Sequence, residues 1–201
     1  ADLYNGGMLG ISQLIRTALI ASPGKTFIVA DFSAIEARVI AWLAGERWRQ
    51  EVFATTGKIY EASASKMFHV PIESVTKGST LRQKGKVAEL ALGYQGGVGA
   101  LKQMGADKMG LVDDELADIV TKWRKASPKI VQFWWDVEAA VKEVIGKRTT
   151  VQYRHGIAFQ FEAGMLFIRL PSGRRIAYAK PRLEENNMGR TSITYLGVNQ
   201  N

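Results

Sequence analysis

The chain has 201 residues, 46% of them hydrophobic and 23% charged, enough to bury a sizeable core in one domain or two small ones. It has no cysteine, and its two histidines, His69 and His155, lie far apart, which excludes disulfides and thiolate metal sites and leaves no zinc pattern. The net charge of +8 falls entirely in residues 122–201, where 14 basic side chains face 6 acidic ones, while residues 1–121 hold 13 of each.

Such a basic C-terminal part suggests a polyanion such as a duplex backbone, or simply a soluble surface. No apolar run approaches the roughly 20 residues of a membrane span and no signal peptide opens the chain, so a cytoplasmic setting is expected. A start without Met and a stop at Asn201 suggest a segment cut from a longer chain.

Residues 8–20 mix apolar and polar side chains without a clean period, and Ser22-Pro23-Gly24-Lys25 is a turn. Phe27 to Ala30 reads as a buried strand ending in the carboxylate of Asp31, within a strand predicted over 26–31. A helix is predicted over 34–45, with Ile35, Val39, Ile40 and Leu43 on one face and Gly45 as its C-cap. An acid at a strand end before a helix start is placed to hold a divalent metal near phosphate. Ser33-Ala34-Ile35-Glu36 equally fits a capping box that satisfies the first amides of the helix.

Short helices follow over Trp48 to Thr56 and from Ile59 to Phe68, with His69 a solvated loop residue before Val70-Pro71. Thr80 to Gln95 forms the second anchor. Arg82, Lys86, Leu90 and Tyr94 recur every four residues, so the two cations stand ~6 Å apart along the axis, a spacing suited to successive phosphates. Tyr94 offers a ring on which a base could stack, and Val87, Ala91 and Tyr94 form a stripe toward the core. The plainer reading pairs Lys86 with Glu89 at the surface. Gly85 and Gly93 weaken the helix and suggest close approach or movement.

Gly96, Gly97 and Gly99 do not follow a strand, and Lys102 stands where a third glycine would complete a dinucleotide fingerprint. Asp113-Asp114-Glu115 opens a helix, as acids at a helix start commonly do. Ser127-Pro128 starts another, whose apolar face includes Ile130, Trp134, Val141 and Val144, with Trp134 and Trp135 expected in the core. From Gly156 the period becomes two, and 157–162, 165–170 and 174–179 read as a three-stranded meander. Lys147, Arg148, Arg154, Arg169, Arg174, Arg175, Lys180 and Arg182 furnish the basic surface of this part.

Two of these stretches resemble motifs of the family A (polymerase I-type) DNA polymerases. Asp31-Phe32-Ser33-Ala34-Ile35-Glu36-Ala37-Arg38 is similar to motif A, usually Asp-Tyr-Ser-Gln-Ile-Glu-Leu-Arg. Arg82, Lys86 and Tyr94 match motif B, Arg-x-x-x-Lys-x-x-x-aromatic-x-x-x-Tyr-Gly. Leu90 departs from the usual aromatic residue, which governs discrimination at the sugar 3′ carbon, and Gln95 departs from the usual glycine. The run Tyr94-Gln95-Gly96-Gly97 looks like a phage or prophage branch. The similarity is firm from Leu14 to Met104 and looser beyond.

The resemblance implies an α+β fold: a partial palm with motif A over 1–45, helical fingers with motif B over 46–150, and a β meander over 151–201. The family's motif C, His-Asp-Glu, and its thumb have no counterpart in the sequence. The implied reaction adds dNMP to a primer 3′-hydroxyl by two-metal phosphoryl transfer, with primer-template DNA and dNTP as partners. Asp31 would be one of two carboxylates holding two magnesium ions, manganese being an alternative, and the Phe32 carbonyl would add a ligand. Arg82 and Lys86 would meet the triphosphate, Lys86 also acting as proton donor, and Leu90 and Tyr94 would border the nucleotide. Glu36 would be the steric gate against a ribose 2′-hydroxyl. With one catalytic carboxylate, the isolated chain is expected not to polymerise. A single-subunit RNA polymerase fragment and a basic, non-catalytic DNA-binding module are the alternatives. The setting is a bacterial or phage-infected cell, and the oligomeric state is left open.

Overall fold

Gly45, at φ 73°, ends the helix that opens at Ile35 and turns the chain directly into the next one. The computed structural model describes residues 14–197. They divide after Ser33 into two compact units. Met8 to Gln13 of the first expected segment lie outside the described residues.

In the first unit, Ile15–Ala18 form a single 3₁₀ turn and Ser22 closes a turn onto Lys25. The strand predicted over 26–31 is not formed. Phe27, Ile28 and Val29 are 57%, 92% and 91% exposed. A strand exists only through its ladder, and the strands among the described residues pair solely with one another. The apolar run therefore belongs to no ladder among the described residues.

The second unit begins with α1 (Ile35–Ala44), α2 (Arg47–Thr55) and α3 (Ile59–Phe68). His69 caps α3 at φ 53° and is exposed, as a loop residue should be. Then come α4 (Thr80–Leu92), the short α5 (Val98–Gln103), α6 (Asp113–Ala126) and α7 (Pro128–Lys147). Glu115 accepts the Val112 amide at 3.2 Å, so part of the acidic cluster does cap α6. α3 packs along α4, and both pack against α6. Their shared core includes Met67, Val87, Leu92, Leu116, Ile119 and Trp123. Each large apolar side chain buried there contributes roughly 1.5–3 kcal/mol.

Helix α7, with 20 residues, is about 30 Å long and serves two cores. Ile130 and Trp134 join the helical one. Val141, Val144 and Ile145 cover a sheet through Ile157, Phe159 and Leu166. Trp135 is 52% exposed, against the expectation that both tryptophans are core. It follows Trp134 by one position, and about 100° of helical rotation carries it off the buried face.

The meander has five strands rather than three: β1 (Thr150–Gln152), β2 (Ala158–Glu162), β3 (Met165–Arg169), β4 (Arg175–Glu185) and β5 (Thr191–Leu196). They are antiparallel and lie in sequence order. Ala163 and Gly164, at φ 49° and 78°, make the two-residue turn between Glu162 and Met165 that a tight hairpin requires. β4 runs past Pro181 because the register shifts between Ala179 and Arg182, with Lys180 at φ 48°. A bulge there accommodates a residue without an amide hydrogen. The architecture is α+β, and no helix of the described residues is long and apolar enough to cross a membrane.

Candidate functional site

Helix α4 is built as two unlike faces. Ser79 Oγ accepts the Arg82 amide at 3.2 Å, closing the helix start. Gly85, Val87, Ala88, Glu89, Ala91 and Leu92 are buried, while Leu90 is 44% exposed and Arg82 and Lys86 are half-buried. Gly85 is needed for packing: a Cβ there would collide with the Tyr60 carbonyl of α3. Gly93 has open space around it, since a Cβ added there would come no nearer than 4.0 Å to the Glu89 carbonyl.

The plainer reading, a Lys86–Glu89 surface pair, is not met, because Glu89 points inward. Its Oε2 accepts Arg49 Nη1 at 2.5 Å, and its Oε1 accepts Ser63 Oγ at 2.6 Å and Trp123 Nε1 at 2.9 Å. Arg49 also donates Nη2 to Ser127 Oγ at 2.8 Å. One buried carboxylate thus gathers side chains from α2, α3 and α6 onto α4. Charge burial of this kind is tolerable only when nearly every polar atom is paired, and Arg49 Nε alone of this group is not.

On the outer face, Arg82 Nε donates to Glu61 Oε1 of α3 at 2.6 Å, and its guanidinium lies 5.5 Å from the Tyr60 ring centroid. Burial works against ionisation of Glu61, but the hydrogen bond and charge of Arg82 prevail and hold its carboxyl below the ordinary value. Lys86, one turn further, has no ion-pair partner among the described residues.

The helix ends at Leu92, so Tyr94 stands on the turn beyond it, 69% exposed rather than part of the core stripe. Trp134 Nε1 anchors this turn on the Gly93 carbonyl at 3.2 Å. Gln95 takes φ 63°, and Gly96 lies so close to the Ala91 carbonyl that a side chain would collide. These glycines shape a helix end.

Tyr94 and Glu36 line the same groove. Desolvation of the phenol, then the nearby Glu36 carboxylate, raise the Tyr94 hydroxyl above its ordinary value. The capping-box reading of Glu36 does not hold: the N-cap of α1 is Ala34, at φ 49° and without a side-chain cap. Glu36 is the second residue of the helix, one short of the capping-box position. Glu36 and Tyr94 belong to the lining of an open groove of about 890 Å³, whose walls include Val39, Leu43, Phe133 and Val137.

Asp31 and Phe32 lie in the first unit and are exposed. Asp31 supplies one carboxylate and Phe32 one carbonyl, whereas a hard divalent ion takes about six oxygens. Among the described residues no group of three His, Cys, Asp or Glu is placed to hold a metal. The donor set of this chain therefore does not by itself fit a pair of magnesium ions.

The basic surface is partly neutralised. Arg175 pairs with Glu162 at 2.9 Å, Lys147 with Glu143 at 3.0 Å, and Arg154 approaches Asp136 at 3.6 Å. Arg169 and Arg175 are register partners, side by side on β3 and β4. Sequence reasoning missed Glu61, Tyr60, Arg49 and Glu89. The α3 helix period places Glu61 near neither core nor motif, and only the packing of α3 on α4 brings it to Arg82.

Residues 10–165 match the family model of DNA polymerase family A. The chain belongs to that family. The assignment sets aside the single-subunit RNA polymerase alternative. The chain is similar to a DNA polymerase of Bacillus phage SP02, with 62% identity over 97% of this chain and 30% of that protein. It is also similar to DNA polymerase I of Rhizobium leguminosarum, 30% identical over 64% of the chain and 12% of the relative. Thermostable DNA polymerase I of Thermus aquaticus is 29% identical over 60% of the chain and 14% of the relative. As a family A chain of phage type it spans less than a third of the length of these curated relatives.

Proposed function

We propose that this chain is the nucleotide-binding part of a template-directed DNA polymerase that adds dNMP to a primer 3′-hydroxyl. The observation that carries the reading is the helix face presenting Arg82, Lys86 and Leu90, which ends at a groove lined by Glu36 and Tyr94. Phosphoryl transfer asks the protein chiefly to position reactants and offset developing charge. In this reading Lys86 Nζ binds the triphosphate and gives a proton to the leaving pyrophosphate, and Arg82 binds the outer phosphates. Tyr94 lies beneath the nascent base pair. Glu36 fills the volume of a ribose 2′-hydroxyl, and Leu90 borders the sugar where an aromatic ring is usual.

Residues 1–45 are assigned to a palm, 46–150 to fingers and 151–201 to their continuation. Asp31 and the Phe32 carbonyl are assigned to the magnesium donor set of the complete enzyme. The described residues do not complete that set, and no step is derived through it. The isolated chain is accordingly expected to bind nucleotide without polymerising.

Calorimetric titration of magnesium-dNTP into the chain, beside Arg82→Ala and Lys86→Ala, tests the reading. Saturable binding weakened in both variants supports it, and equal binding in all three chains overturns it. The neighbouring Arg169 and Arg175 favour one second reading, a basic DNA-binding module. That module would bind duplex with strong salt dependence and be indifferent to Lys86→Ala and to added nucleotide.

A further inference from the structure

Arg82 is the cation assigned to the outer phosphates, yet in the free chain its Nε is committed to Glu61 at 2.6 Å. The pair is sheltered, the Arg82 and Glu61 side chains being 24% and 14% exposed, so water screens it less than a surface pair. Lys86 has no such partner among the described residues. The two cations of one helix face are therefore electrically unequal: one is available, the other already offset.

The inequality has a direction. Arg82 and Lys86 are four residues apart, ~6 Å along the axis, about the span between successive phosphates. A phosphate near Lys86 lies a turn away from Glu61. A further phosphate reaching Arg82 arrives beside a carboxylate of its own sign and must share or displace it.

We propose that Glu61 is an affinity-determining residue of the triphosphate site, a built-in counter-charge that holds Arg82 in the free chain and weakens binding of the outermost phosphate selectively. This rests on the triphosphate reading of α4. Its consequence is a ground state that is not over-stabilised: tight holding of the outer phosphate before reaction would lower KM without raising kcat. The depressed ionisation of Glu61 agrees, since the carboxylate stays charged at neutral pH and opposes the incoming anion.

Glu61→Gln separates charge from geometry, because the amide oxygen still accepts from Arg82 Nε. Calorimetric dissociation constants would be measured for dNTP, dNDP and dNMP with the parent chain, Glu61→Gln and Arg82→Ala, at fixed low salt. The expected result is dNTP binding about tenfold tighter in Glu61→Gln, with dNDP changed by no more than about twofold and dNMP unchanged. An equal gain for all three ligands would overturn the proposal, since it would report net charge and not a contest for Arg82. Unchanged or weaker dNTP binding would also overturn it, leaving Glu61 a packing or orienting residue. Binding that is absent from the parent and Glu61→Gln, or that is the same in Arg82→Ala, would instead sink the triphosphate reading beneath it.

A second measurement needs no folded variant. In the parent chain, the Glu61 carboxyl carbon is followed by NMR while inorganic tripolyphosphate is added. Displacement moves its midpoint of titration upward toward the ordinary value, and a midpoint that stays depressed at saturation overturns the proposal.

Discussion

Tyr94, on the turn after α4, and Glu36, in the first turn of α1, line the same groove, and the Glu36 carboxylate helps raise the Tyr94 hydroxyl above its ordinary value. The two side chains therefore border one volume. A gate works by volume held in place, so its selectivity should depend on both partners. Glu36→Ala is expected to lower the preference for dNTP over rNTP by about tenfold or more, and Tyr94→Phe by a smaller factor. Paired calorimetric titrations with dNTP and rNTP check this. Unchanged preference in Glu36→Ala would refute the gate.

Two glycines of one helix region predict opposite outcomes. Gly85 permits α4 to touch the α3 backbone at Tyr60, so Gly85→Ala should destabilise by ~1–3 kcal/mol through forced separation. Gly93 meets nothing closer than 4.0 Å and has φ −58°, a right-handed conformation that alanine adopts freely. Gly93→Ala should stabilise by up to ~1 kcal/mol. Urea midpoints at constant m-value decide both.

What could be read in the chain beforehand follows the range of the interactions. Helix limits were legible from local signals: Gly45 and His69 cap where caps were expected or tolerated, and Ser127-Pro128 begins α7. The faces of α4 were half legible. Lys86, Arg82 and Leu90 face outward as spacing suggests, but periodicity could not tell that Glu89 turns inward to Arg49, forty positions away. Nor could it foresee that α4 stops before Tyr94. β5 and the far half of β4 were missed because Pro181 reads locally as a break, whereas a register shift absorbs it. Phe27 to Ala30 carries a strand's composition, and composition supplies no pairing partner.

The buried carboxylate at Glu89 predicts a large stability effect with an unusual remedy. Glu89→Gln leaves the Arg49 cation 1% exposed with no counter-charge, at an expected cost of ~3–5 kcal/mol. Replacing both partners, as Arg49→Met with Glu89→Leu, should recover most of that loss, because neither charge is then buried. Chemical unfolding of Arg49→Met, Glu89→Leu and the double variant gives the coupling directly. Additive costs would show that Arg49 and Glu89 are not energetically paired.

Acid should loosen the fold at two identifiable joints. Glu61 is held below its ordinary value of 4.5, burial opposing and the Arg82 hydrogen bond and charge prevailing. Asp136, on α7, is held below 3.8 by the Gln132 amide first, then by the Tyr153 hydroxyl and the Arg154 charge, with burial opposing. A carboxylate with a depressed folded value stabilises above its unfolded value, and that stabilisation is lost as pH falls through the folded one. Urea midpoints should therefore hold steady from neutrality to about pH 5 and decline below ~4. Glu61→Gln and Asp136→Asn should each flatten that decline while lowering the neutral plateau. On the alkaline side, Tyr153 is raised above 10.0 by burial and then by Asp136, so its contribution is kept up to that value and lost beyond it. A decline of unchanged steepness in both variants would assign the acid transition to other carboxylates.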